Sequence, residues 1–191
     1  MKQLVRSLLL GWAVQAAASA QSAAPLDRHG LAVAAIASGN AALNKGDSRG
    51  LAEAERLLSA SGARAAGDAP DVIVLWRKEA RSKGLALPPR LPPLRGRVLG
   101  SAYKQALLTA NGTMIIEQTY LAGQKAQISL IPSSSAQLSV AVMDGDGKTV
   151  CRREAAARPA SCSWMPLWTS RYRIEVRNAA PRPAAAFLVI D

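Results

Sequence analysis

The sequence predicts an α+β chain built in segments: a short N-terminal helical segment, then an antiparallel β-sandwich of jelly-roll type. Three observations carry this. Apolar residues between 28 and 84 recur at helical spacing. From Ser101 onward they recur at every second residue. Four prolines, Pro88, Pro89, Pro92 and Pro93, separate the two regimes. Regular short strands with no helices between them favour two packed antiparallel layers over an alternating α/β order.

The first element is an export signal. Lys2 and Arg6 precede an apolar run from Ser7 to Ala18, and the small residues Ala18-Ser19-Ala20 precede Gln21. A charged start, a short apolar stretch and small residues at the cut predict a cleavable signal over residues 1–20. The apolar run is shorter than the roughly 20 residues that a membrane span needs, so no transmembrane segment is expected after cleavage. A periplasmic or secreted protein follows. The net charge is +11, and losing Lys2 and Arg6 leaves 11 − 2 = +9. That excess divides almost evenly between residues 21–95 and 96–191. A diffuse basic surface suits an envelope protein or an anionic polysaccharide. No single stripe concentrates the charge, so nucleic acid is not an expected partner.

Residues 21–86 form the helical segment. A first helix is predicted from about Arg28 to Leu43, with Leu31, Ala35, Ala42 and Leu43 on one face. Lys45-Gly46-Asp47-Ser48 supplies a glycine stop and an N-cap for a second helix, about Arg49 to Ser59. There Leu51, Ala54, Leu57 and Leu58 are expected inside, and Glu53, Glu55 and Arg56 in water. Asp68-Ala69-Pro70-Asp71 starts a third helix that buries Val72, Ile73, Leu75, Trp76 and Ala80. Its cations Arg77, Lys78, Arg81 and Lys83 suit a helix C-terminal end. Residues 87–97 are expected to run as an extended proline-rich linker.

Residues 98–191 are the sandwich, with about eight strands. In Arg171-Tyr172-Arg173-Ile174-Glu175-Val176-Arg177 the residues Tyr172, Ile174 and Val176 face in and the charges face out. Turn chemistry at Ala110-Asn111-Gly112, Ala122-Gly123, Pro132 to Ser135, Asp144 to Gly147 and Asn178 to Pro183 separates the runs.

Cys151 and Cys162 are the only cysteines, and in an oxidising compartment they read as a disulfide. Such a bond contributes about 2–3 kcal/mol in the chain-entropy model and would tie down a stretch, Arg152 to Ser161, with little means of ordering itself. His29 is the only histidine and lies far in sequence from any nucleophile, so no catalytic residue is assigned and no cofactor is expected. Asp144 and Asp146 are the sole metal candidates. Lys148, Thr149 and Val150 follow where a calcium loop needs further acidic ligands, and an Asp-Gly hairpin turn explains the pair. Trp164 and Trp168 flank Met165-Pro166-Leu167; they either offer a stacking surface to sugar or fill and cover the sandwich. The outward Arg171, Arg173 and Arg177 are the candidate contact strip, set against an ordinary solvated strand face.

The block Cys162-Ser163-Trp164-Met165-Pro166-Leu167-Trp168-Thr169, followed by Tyr172-Arg173-Ile174-Glu175-Val176-Arg177-Asn178, resembles the bacterial pre-peptidase C-terminal domain. The resemblance extends over about residues 98–191 and includes Leu121 to Leu130 and Leu138 to Cys151. It implies a jelly-roll-like accessory domain with a binding role and no catalytic one. Some members of that family bind calcium or polysaccharide through acidic loops; here Arg152 to Pro159 is basic instead, so the resemblance carries no metal site onto this chain. The expected function is that of an exported, non-enzymatic binding protein of the bacterial envelope. The alternative is an accessory or inhibitory subunit of a separately encoded secreted hydrolase.

Overall fold

A computed structural model describes residues 26–89, 100–134 and 136–191. The predicted export signal and linker residues 90–97 lie outside the described residues. Three helices come first: α1 (Arg28–Lys45), α2 (Ser48–Ser61) and α3 (Val72–Ser82), with the two-residue strand β1 (Arg64–Ala65) before α3. Eight strands follow: β2 (Ala102–Leu108), β3 (Thr113–Tyr120), β4 (Ala126–Pro132), β5 (Gln137–Met143), β6 (Thr149–Ala156), β7 (Ala160–Trp164), β8 (Ser170–Asn178) and β9 (Ala184–Ile190). They form one sheet in the order β1-β2-β9-β4-β7 and a second in the order β3-β8-β5-β6. Apart from the parallel β1–β2 contact, every pairing is antiparallel, and the eight longer strands have jelly-roll order. The predicted fold class holds.

Each helix starts on an aspartate. The side chains of Asp27, Asp47 and Asp71 accept the N–H of Gly30, Gly50 and Ile73 at 2.7, 2.9 and 2.9 Å. Gly46, at φ 71°, ends α1 in the left-handed conformation that a β-carbon disfavours. Along α1 the buried residues are His29, Ala32, Ala35, Ile36, Gly39, Asn40 and Ala42, while Leu31 and Leu43 are only half-buried. Ala35 and Ala42 of the predicted face are buried as expected, and the rest of the buried stripe shifts from the two leucines to Ala32, Ile36 and Gly39. Alanines surround this helix, so periodicity alone does not orient it.

Two cores exist. One lies between the sheets and includes Ile128, Leu130, Leu138, Val140, Ile174, Val176 and Leu188. The other lies between the helices and the outer face of the five-stranded sheet. There Ile36, Leu51, Leu58, Val72 and Trp76 pack on Tyr103, Ile131, Phe187 and Val189. Strand β9 is thus covered on both faces, which matches its unbroken apolar run Ala184–Ile190. Helices, first sheet and second sheet make three layers.

Glu55, expected in water, is buried. Its carboxylate accepts from Arg77 Nε at 2.9 Å and from Arg77 Nη2 at 2.6 Å, a two-pronged pair joining α2 to α3. Arg77 therefore does not share the solvated role of Lys78 at the helix end.

The Cys151–Cys162 disulfide is present, with its Cα atoms 6.0 Å apart. Cys151 lies in β6, the edge of one sheet, and Cys162 in β7, the edge of the other. The bond staples the two sheets along one side. Arg152 to Ala156, expected to lack order of its own, instead continues β6 and pairs with β5.

Candidate functional site

Jelly-roll connectivity places the β3–β4, β5–β6 and β7–β8 turns at one end of the sandwich, and that end carries an apolar tip. Leu121 is 51% exposed, Met165 57%, Leu167 80% and Trp168 79%. Leu121 comes from the β3–β4 turn and the other three from the β7–β8 turn. The two turns are joined: Gly123 donates its N–H to the Pro166 carbonyl at 2.8 Å, and Ala122 donates to Thr169 Oγ1 at 3.1 Å. Gly123, at φ 69°, provides the left-handed bend. Four large apolar side chains are thus held in water on a pinned scaffold.

The two tryptophans are separated by this arrangement. Trp164 ends β7 on the inward face, and its ring packs at 4.8 Å from Tyr120 and 5.5 Å from Tyr172, with the tyrosines 5.7 Å apart. Edge-on and tilted rings of this kind make a rigid platform under the tip. The Tyr120 hydroxyl and Trp164 Nε1 are buried without a hydrogen-bond partner among the described residues. Burial also drives the Tyr120 phenol well above its usual pKa. Trp168 stands outside.

The predicted arginines sit on the outer face of the four-stranded sheet. Arg171 lies near the tip end and Arg177 at the far end of β8. Carboxylates interleave with them. Arg171 donates to Glu117 at 3.1 Å, Arg173 lies 4.0 Å from Glu175, and Arg152 and Glu154 of β6 occupy the same face through their register with Ala141 and Ser139. The result is a mixed-charge surface with no continuous cationic strip.

Asp144 and Asp146 lie in the β5–β6 turn. One Asp144 carboxylate oxygen accepts the N–H of Asp146 at 3.1 Å and of Lys148 at 2.9 Å. Its lone pairs organise the turn, and Gly147 closes it at φ 78°. Among the described residues no group of three metal-binding side chains gathers.

His29 departs from its expected isolation. Buried at the start of α1, it places Nε2 2.8 Å from Ser129 Oγ in β4, with Ser101 Oγ 3.3 Å from its Nδ1. Ser129 in turn bonds Ser161 Oγ at 2.7 Å. Burial lowers the His29 pKa. Serine and imidazole are in hydrogen-bond range, but Ser129 is fully buried, so the pair fastens α1 to the sheet and meets no substrate. One hundred residues separate the two, and no local pattern announces their contact.

No family model and no curated protein matches this sequence. Solved structures align with about half of it. The mitogen of Yersinia pseudotuberculosis is 12% identical, the match covering 49% of this chain and 86% of that one, with a TM-score of 0.40. A pre-peptidase C-terminal domain of collagenase from Bacillus anthracis is 10% identical over 48% of this chain and 89% of that one, TM-score 0.41. PliG of Aeromonas hydrophila, a periplasmic inhibitor of g-type lysozyme, is 14% identical over 48% and 86%, TM-score 0.36.

Proposed function

We propose that this is an exported, non-enzymatic binding protein that docks on a protein of the cell envelope through the tip of its sandwich. The exposure of Leu167 and Trp168 beside Leu121 and Met165, on turns pinned to each other, carries this reading. A scattered surface leucine needs no explanation, but a cluster of large apolar side chains on a fixed scaffold marks an interaction surface. Three of the four are aliphatic. They suit the apolar hollow of a protein better than a sugar ring, which stacks on flat aromatic faces. Export is supported by the inter-sheet disulfide, which persists in an oxidising compartment. The jelly-roll order and the Cys162 to Thr169 block support reading residues 98–191 as a pre-peptidase C-terminal-like accessory domain. Residues 21–86 are its helical cover, and a secreted hydrolase belongs to the partner class.

The test is capture from envelope fractions with the mature chain, beside a Leu167→Ser, Trp168→Ala double variant. The intact tip is expected to retain a discrete protein that the double variant loses. Hydrolase activity is assayed in the eluate. Equal capture by the double variant, or retention of polysaccharide alone, contradicts the reading.

A further inference from the structure

At the other end of the five-stranded sheet, where α1 and α3 pass over the end of β4 and the start of β9, lies a cleft of about 450 Å³. Leu43, Leu75, Ala185 and Phe187 supply apolar walls. The polar groups are unusual. Asn40, only 7% exposed, accepts the Trp76 indole N–H on Oδ1 at 2.9 Å. That bond fixes the amide orientation, because the reverse would set two donors against each other. Its Nδ2 is left buried with no partner among the described residues, and so is the Ser133 hydroxyl beside it. A buried donor without an acceptor is destabilising, and two in one cleft mark a place that a ligand's acceptor would fill.

The rim completes the chemistry. Lys83 donates to the Leu43 carbonyl at 3.3 Å and lies 3.4 Å from Glu79, while Lys78 has no ion pair among the described residues. The cleft thus offers amide N–H, hydroxyl and ammonium donors over an apolar floor, and its one carboxylate is already paired. Such a set is complementary to an acceptor that bears negative charge and is attached to an apolar body. We propose that this cleft binds a small amphipathic carboxylate, with the carboxylate on Asn40 Nδ2 and Ser133 Oγ near Lys78. A fatty acid and the C-terminus of an apolar peptide share this chemistry. The site lies away from the tip and does not depend on the reading given to the tip.

The experiment is a titration of the ¹⁵N-labelled mature protein with octanoate, N-acetylleucine and octanol. It follows the Asn40 side-chain amide and the Trp76 indole N–H. At least one carboxylate is expected to shift both signals to saturation with Kd at or below about 1 mM. Octanol should bind at least about tenfold more weakly, since a hydrogen bond to a charged group contributes about 1.5–3 kcal/mol. Octanoate alone points to an acyl chain, and N-acetylleucine alone to a peptide terminus; either supports the site. Asn40→Asp keeps an acceptor for the Trp76 indole while replacing the amide donors with oxygen, and Ser133→Ala removes the hydroxyl without touching that bond. Each variant should lose octanoate or N-acetylleucine affinity by about tenfold or more while its thermal midpoint confirms folding. Signals unmoved by both carboxylates, octanol equal to octanoate, or folded variants that bind like the parent overturn the proposal.

Discussion

Asn178 shows how much one buried polar side chain holds together. Its Nδ2 donates to the carbonyls of Thr109 at 2.9 Å and Arg182 at 2.7 Å, and its Oδ1 accepts the Ala180 N–H at 3.0 Å. One amide therefore ties the β2–β3 turn to the β8–β9 turn. Asn178→Ala removes these three bonds, although the Thr109 carbonyl keeps the Gly112 N–H, and should cost about 1–3 kcal/mol, read as a lower urea midpoint with unchanged slope. A loss below about 0.5 kcal/mol would show that the turns hold without it. The sequence marks Asn178 only as the start of a turn. Gly39 is similar: a β-carbon there would lie 2.3 Å from the Trp76 ring, a constraint set by another helix and invisible along the chain. Trp164 was readable as inward from its alternation with Cys162. Trp168 was not, because the turn between them breaks the two-residue period.

Among the elements, strands and caps were legible because their signals are local. The alternation in Arg171 to Arg177 and the aspartates before each helix act within a few residues. Helix faces were less legible. Alanine on every side of α1 hides its buried stripe, and Glu55 looks solvated until Arg77 comes across from α3. The contact of α1 with the sheet leads to a pH prediction. His29 is held below its ordinary pKa of 6.5, chiefly by burial, while Asp191 and Asp27 oppose that shift and Lys125 adds to it. The unfolded chain then binds more protons as pH falls below 6.5. The contribution of neutral His29 is full above that pH and declines below it. Urea midpoints should fall between about pH 7.5 and pH 5, and His29→Asn should flatten that part of the profile. An unchanged profile in the variant would place the pH dependence elsewhere.

For the molecule as a whole, the helices act as a third layer of the sandwich. Tyr103, Ile131, Phe187 and Val189 face them, and each large apolar side chain left in water forfeits about 1.5–3 kcal/mol. A chain starting at residue 98 should therefore bind a hydrophobic dye and lose its near-ultraviolet circular dichroism. A native-like spectrum would show that the sandwich stands alone. The apolar run of β9 was the sequence signal for this cover, since a strand wetted on one face alternates. At the tip the opposite is expected: its apolar side chains stay in water until a partner arrives. The direct measurement places a photo-crosslinking residue at position 167 and, separately, at position 173 on the charged sheet face, followed by irradiation in intact cells. A discrete protein adduct is expected from position 167 and none from 173. An adduct from 173 with none from 167 would contradict it.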